Sequence, residues 1–276
     1  MEEAEIGRKG EEALIYYLNR TPEFKEKFVS CLREKLHISI SNDITAKKAP
    51  RGYKSDILIY NDAGERIGLS LKTRKPGRPD DHLDRRWLDK PGRLSPSWKD
   101  SLQMPDNVYE AFKRGIMRKA VDKNAELIWP EDQSAVKQFL LSKLDDFLEE
   151  VLRRGEPYLK LFAVIEYEQE KAVYIFRMDD VIALIKKNIK ASGIKFGRTI
   201  RLGNFLWIQR KAGNGKRIDA RLPKTDPRHP ANQLQVKILP IELKDEAIKT
   251  LKFCRLDLPS GISVQKGESS LEEWFG

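Results

Sequence analysis

The chain has 276 residues, 40% of them apolar, enough to bury one large core or two small ones. No run approaches the ~20 continuous apolar residues of a membrane span, and the acidic start Met1-Glu2-Glu3-Ala4-Glu5 lacks the layout of a secretory leader. The formal net charge is +10, and it is concentrated: residues 186–237 carry 14 Lys and Arg against Asp219 and Asp226, which leaves the remainder slightly acidic. That basic stretch also contains Phe196, Phe205, Trp207 and many glycines, so it reads as a folded surface and not as a disordered tail. A folded basic surface favours a polyanion, nucleic acid first, over an anionic membrane, since no basic amphipathic helix stands out. The two cysteines, Cys31 and Cys254, have no CxxC spacing; they argue for a reducing cytoplasm and against a disulfide framework or a structural zinc site. Three isolated histidines, His37, His82 and His229, give little support to a histidine-based centre.

In chain order, residues 7–18 predict a helix and residues 25–36 another, after the Thr21-Pro22 break. Residues 37–44 alternate, Ile38 and Ile40 against Ser39 and Ser41, as a short strand does, and Pro50-Arg51-Gly52 marks a turn. Residues 56–60 and 67–73, joined by a polar turn, form the clearest hairpin. Residues 74–105 are rich in Pro, Gly, Arg and Asp and hold Trp87 and Trp98 without periodicity. Such a stretch predicts a functional loop, because tryptophans are costly to leave in water. Residues 107–124 and 134–154 predict helices, the second capped by Ser134 and stopped by Gly155. Strands follow at 158–167 and 172–176, a helix at 179–188, and strands at 199–211 and 234–239. This order predicts an α/β (α+β) fold with a mixed central sheet flanked by helices. There are no internal repeats.

The hairpin allows a test of register. If paired residue numbers sum to 126, Ile57 faces Leu69 and Ile59 faces Ile67, so the four apolar side chains share one face. The same register sets Asp56 opposite Ser70, with Lys72 one diagonal step away. An acid, a hydroxyl and an amine thus meet at the mouth of the hairpin. Such a group suits phosphodiester hydrolysis: a carboxylate helps hold Mg2+, and a lysine orients the attacking water or offsets charge on the phosphorane. Glu11 lies on the face of Leu14, Ile15 and Leu18 and is the preferred helix carboxylate, with neighbouring Glu12 the second candidate.

With Ser55-Asp56, then Ser70-Leu71-Lys72, and residues 7–14 upstream with their Gly-Glu-Glu run, the sequence resembles the PD-(D/E)xK nuclease superfamily, and within it type II restriction-endonuclease-like proteins. The resemblance covers roughly residues 1–75. It implies a restriction-endonuclease-like core and a cytoplasmic, metal-dependent enzyme that cleaves double-stranded DNA, with one or two Mg2+ as cofactor. Asp56, Ser70, Lys72, Glu11 and Glu12 are then the catalytic candidates, and Asp56, Glu11 and the Leu71 carbonyl the metal ligands. Ser70 departs from the family pattern, which places a second carboxylate there, and this gives the helix glutamate more weight. On this resemblance residues 1–276 form a single nuclease domain: catalytic motifs in 1–75, a loop and helix insertion in 74–130, and a basic DNA-contacting region in 186–240. A homodimer is compatible with it.

The strand and turn holding Gln209, Arg210, Lys211, Asn214, Lys216 and Arg217 are the expected DNA-recognition element. Gln and Arg make bidentate contacts to base edges, glycines admit close phosphate approach, and lysines add salt-sensitive affinity. A rival site pairs Asp219 with Gln235-Val236-Lys237, with Glu149 and Glu150 on an upstream helix, but Pro223, Pro227 and Pro230 make its connection a long loop. The alternatives in function are a repair or recombination nuclease of low sequence specificity and a DNA-binding protein without catalysis. No Gly-x-x-x-x-Gly-Lys-Ser/Thr loop is present, which argues against an ATP-driven motor.

Overall fold

A computed structural model describes residues 3–73, 80–92, 95–166, 171–212 and 222–259. Its first half contains α1 (Glu3–Arg20), α2 (Pro22–Glu34), β1 (Ile44–Lys48), β2 (Ile57–Asn61), β3 (Arg66–Thr73), β4 (Asp81–Arg86), α3 (Trp98–Leu102), α4 (Asp106–Val121) and α5 (Pro130–Ser142). The second half continues with α6 (Leu144–Leu152), β5 (Leu159–Glu166), β6 (Ala172–Arg177), α7 (Met178–Ser192), β7 (Ile194–Lys195), β8 (Ile200–Leu202), β9 (Leu206–Arg210), β10 (Leu234–Ile238), α8 (Pro240–Thr250) and β11 (Cys254–Asp257). The chain divides into two compact units: Met1–Asp81 with Glu156–Val181 and Leu239–Gly276, and His82–Gly155 with Ile182–Ile238.

The first unit is built on a six-stranded sheet in the order β1-β2-β3-β5-β6-β11. Its pairs are antiparallel except β3 with β5, which run parallel. Leu14 and Leu18 of α1 and Phe28 and Leu32 of α2 pack with Ile57, Ile59, Ile67, Leu69, Leu161, Ala163 and Ile175 of the sheet. Both faces of β3 and β5 are covered, which is why Leu159 to Ile165 is almost continuously apolar. The β2–β3 register pairs Ile57 with Leu69 and Ile59 with Ile67, as the alternation of the two strands predicts.

Two expectations for this unit are corrected. The alternating residues 37–44 are not a strand; β1 starts only at Ile44. Ile38 and Ile40 are buried, but their main chain is used by α2: Ile38 N–H donates to the Leu32 carbonyl at 2.9 Å, and Arg33 Nε donates to the Ile40 carbonyl at 2.6 Å. With those groups satisfied locally, a ladder has less to gain. Cys31 and Cys254 form a disulfide that joins α2 to β11, with Cα atoms 5.8 Å apart and 223 residues between them in sequence. No local spacing pattern can reveal a pair so far apart.

The second unit holds a five-stranded sheet in the order β4-β10-β9-β8-β7. The irregular stretch 74–105 contains, among its described residues, β4 and the short helix α3. Ser97 caps α3 by accepting the Asp100 N–H at 3.0 Å. Trp98 is 3% exposed and stacks on Phe147 at 5.8 Å between centroids, so this tryptophan serves the core. The charges of β4 hide it from a strand search: Asp84 and Arg86 pair with each other in the interior, Arg86 Nη1 reaches Glu150 at 2.8 Å, and Arg154 Nη2 reaches Asp84 at 2.8 Å. The helix expected over 134–154 is two helices, broken at Lys143, whose backbone (φ −103°, ψ 18°) leaves the helical range. Ser134 therefore lies inside α5, which Pro130 opens. The strand expected over 199–211 is a hairpin turned at Gly203, where φ is +61° and a Cβ would stand 2.3 Å from Asn188 Oδ1.

Candidate active site

Where β2 begins and β3 ends, Asp56 stands at the open mouth of the hairpin. Its main-chain N–H donates to the Leu69 carbonyl at 2.9 Å, which fixes the residue in line with the strand. Its Oδ2 accepts the Leu71 N–H at 2.6 Å and the Ser70 hydroxyl at 3.3 Å, and Lys72 Nζ lies 3.8 Å from the same oxygen. The tripeptide Ser70-Leu71-Lys72 thus wraps one carboxylate. N–H and C=O of a residue in an extended strand project to the same edge, so the Leu71 carbonyl opens toward Asp56 as its N–H does. Ser70 is 5% and Lys72 9% exposed, while the Asp56 side chain keeps 28% of its surface.

Helix α1 adds Glu11. Its Oε2 accepts from Lys48 Nζ of β1 at 2.5 Å. Burial raises the Glu11 carboxyl above the ordinary glutamate range; the Lys48 hydrogen bond opposes this, and the negative charge of Asp56 adds to it. Burial pulls the Lys72 amine down, but the charges of Asp56, Asp81 and Glu11 outweigh it and hold the amine above the ordinary lysine range. These interactions gather Glu11, Asp56 and Lys72 into one electrostatic cluster. Glu12 turns away, with its carboxylate 3.9 Å from Arg8 on the exposed side of α1. Two further members, Lys48 and Asp81, were not foreseen. Lys48 closes β1, whose start the sequence placed too early, and Asp81 sits at the head of β4 in what read as loop. A search for strands among charged alternations such as Asp81 to Arg86 is the signal that would have found the second.

The arrangement offers oxygen donors only: two carboxylates and a main-chain carbonyl. That set fits a hard divalent cation, which takes oxygen ligands and completes its shell with water. Among the described residues, no three His, Cys, Asp or Glu side chains gather as a metal-binding group.

The expected recognition residues scatter. Gln209 of β9 is half-buried; its Oε1 accepts Trp207 Nε1 at 3.0 Å and its Nε2 donates to Gln235 at 3.2 Å. Arg210 faces the interior, 6% exposed, with Nε on Asn232 at 2.8 Å, and so supports the second unit in place of the expected base contact. Lys211 follows the strand half-exposed, its amine lowered by burial and by Arg85. Asn214, Lys216 and Arg217 lie outside the described residues. In the rival site Gln235 and Lys237 lie on β10, Asp219 is outside the described residues, and Glu149 and Glu150 are engaged by Arg153 and by Arg86.

The mixed sheet of the first unit, flanked by helices, belongs to a restriction-endonuclease-like α/β fold. A crystal structure of restriction endonuclease MspI in complex with its cognate DNA is similar in fold, with a TM-score of 0.53 over 85% of this chain and 89% of that one, at 15% sequence identity. No protein-family model and no curated protein matches the sequence. No helix among the described residues is long and apolar enough to cross a membrane.

Proposed function

We propose that the protein is a Mg2+-dependent endonuclease of the PD-(D/E)xK kind that cuts double-stranded DNA at specific sequences, as type II restriction enzymes do. The observation that carries this reading is the Asp56 carboxylate held between Leu71 N–H, Ser70 and Lys72, with Glu11 close enough to be perturbed by it. Asp56, Glu11 and the Leu71 carbonyl would hold the metal. When bound, Mg2+ supplies positive charge to the scissile phosphate and lowers the pKa of a water. Lys72 stays protonated, so it does not act as a base; it donates to the attacking water and to the charge that grows on the phosphorane. The water oxygen would bond to phosphorus and lose its proton to solvent, one ester P–O bond would break, and the departing sugar oxygen would take up a proton from solvent. The net charge of +10 and the basic segment 186–237 give sequence-independent affinity for the phosphate backbone. Gln209 and Lys211, with Asn214, Lys216 and Arg217, are the proposed contacts on the duplex.

The test is cleavage of plasmid DNA with Mg2+ by wild type, Asp56→Ala and Lys72→Ala, each confirmed as folded. Discrete fragments from wild type, reduced at least roughly a hundredfold in both variants, are expected. A smear lost in both variants points to a nuclease of low sequence specificity. DNA binding without cutting across a series of divalent metals would sink the catalytic reading. Cutting that survives Asp56→Ala but not Asp219→Ala moves the centre to the rival site.

A further inference from the structure

Glu156 has no part in the chemistry above, yet its carboxylate is buried and aimed at the residue before Asp56. It is 8% exposed and lies just ahead of β5, after Arg154 and Gly155 turn the chain through positive φ (46° and 69°). Its two oxygens take the N–H of Lys54, the N–H of Ser55 at 3.0 Å and the Ser55 hydroxyl at 2.6 Å. Ser55 is itself 3% exposed and is pressed from the other side by Gly68, where a Cβ would stand 2.3 Å from Ser55 Oγ. Gly68 is fixed in turn, since its N–H donates to the Tyr158 carbonyl at 2.7 Å and the β3–β5 register shifts beside it. The peptide that delivers Asp56 is therefore clamped between a buried carboxylate and a bare backbone.

Burying a carboxylate against neutral donors is expensive, and an apolar side chain of similar size would fill the volume at lower cost. What the carboxylate adds is direction: beside the Tyr158 hydroxyl, three donors from residues 54–55 converge on its two oxygens and leave those residues a single orientation. We propose that Glu156 is a positioning residue of the metal centre, fixing the peptide before Asp56 so that the Asp56 carboxylate points at the cation. The inference rests on the nuclease reading. Groups that orient metal ligands typically cost 10–100-fold in metal affinity when removed.

The test compares wild type, Glu156→Gln and Ser55→Ala by Mn2+ binding calorimetry without DNA, by cleavage across Mg2+ concentrations, and by thermal unfolding without metal. Gln keeps one acceptor and loses the other; Ala removes the hydroxyl donor alone. Glu156→Gln is expected to weaken Mn2+ binding roughly tenfold and to raise the Mg2+ midpoint of cleavage by a similar factor, with KM for DNA unchanged. Ser55→Ala should shift both in the same direction by less, and it decides the matter if Glu156→Gln does not fold. Unfolding at lower temperature with wild-type Mn2+ affinity and Mg2+ midpoint would overturn the inference and leave Glu156 a structural tie. A wild type that cuts DNA while both variants match it also overturns it, and the nuclease reading stands. A wild type that neither binds Mn2+ nor cuts DNA overturns both.

Discussion

At Glu11 the protein places a carboxylate where burial and a neighbouring Asp56 disfavour its charge, and the Lys48 hydrogen bond, with the charges of Lys48 and Lys72, relieves it only in part. The sign of the consequence is fixed. A carboxyl whose folded pKa is raised holds its proton more tightly when folded, so its stabilising contribution is complete below pH 4.5 and is lost as pH rises through the raised value. Ionised Glu11 at neutral pH therefore weighs against the metal-free fold. Glu11→Gln should raise the melting temperature of metal-free protein above that window by roughly 1–2 °C, and leave it unchanged well below pH 4.5. The same shift acts on activity with the opposite sign, because the cation needs the ionised carboxylate. At subsaturating Mg2+, cleavage by wild type should fall with acidification at a pH above the ordinary glutamate range, and Glu11→Gln should cut weakly at every pH. Lys72, held above the ordinary lysine range, contributes no alkaline fall near neutrality. A pH–rate profile with its acid limb at ordinary glutamate values would remove Glu11 from the cluster.

Among the elements, β3 carries most of the site, and its position against β5 depends on one missing side chain. A Cβ at Gly68 would stand 2.3 Å from Ser55 Oγ and 3.0 Å from the Leu159 Cα, and main chain does not yield as a flexible side chain does. Gly68→Ala is expected to destabilise by about 1–3 kcal/mol in urea unfolding, the usual cost of overpacking. In the double variant Gly68→Ala/Ser55→Ala the penalty should be smaller than the sum of the two single ones, since the nearest clash is gone. Strict additivity would show that the two residues do not press on each other. The hairpin itself was legible because Ile57, Ile59, Ile67 and Leu69 alternate against one core face, and that pattern admits a single register. The alternation of Ile38 and Ile40 looks the same in sequence but is filled by α2, and nothing local distinguishes the two cases. β4 escaped for the reverse reason: Asp84 and Arg86 are buried as a pair, so charge there does not mean solvent. Of the site, Asp56, Lys72 and Glu11 could be read because strand register and helix face are local. Lys48 and Glu156 could not, because each reaches the cluster through pairings between distant segments, and Asp81 was hidden in the charged alternation of β4.

For the whole molecule, the division into two units follows the basic charge, since residues 186–237 all fall in the unit that does not hold Asp56. The Asp56 cluster and the bulk of the net positive charge thus belong to different units, which can be perturbed separately. The disulfide gives the means. Cys31 and Cys254 both lie in the first unit, and their bond closes a loop spanning 223 residues. By chain entropy such a loop contributes roughly 5 kcal/mol, and both cysteines are buried, so reduction also loosens the packing of α2 on β11. Reduction, or Cys254→Ser, should speed amide hydrogen exchange in α2, β11 and the strands between them. Peptides from α4, α5 and β9 of the second unit should keep their protection. Four of the five tryptophans, Trp87, Trp98, Trp129 and Trp207, belong to the second unit, so in a Trp274→Phe background tryptophan fluorescence follows that unit, and far-UV circular dichroism reports on both. In urea, the fluorescence midpoint should hold on reduction while the dichroism midpoint falls. If both midpoints fall together, the two units unfold as one cooperative body, and the bond between α2 and β11 stabilises the basic unit as well as the one that holds Asp56.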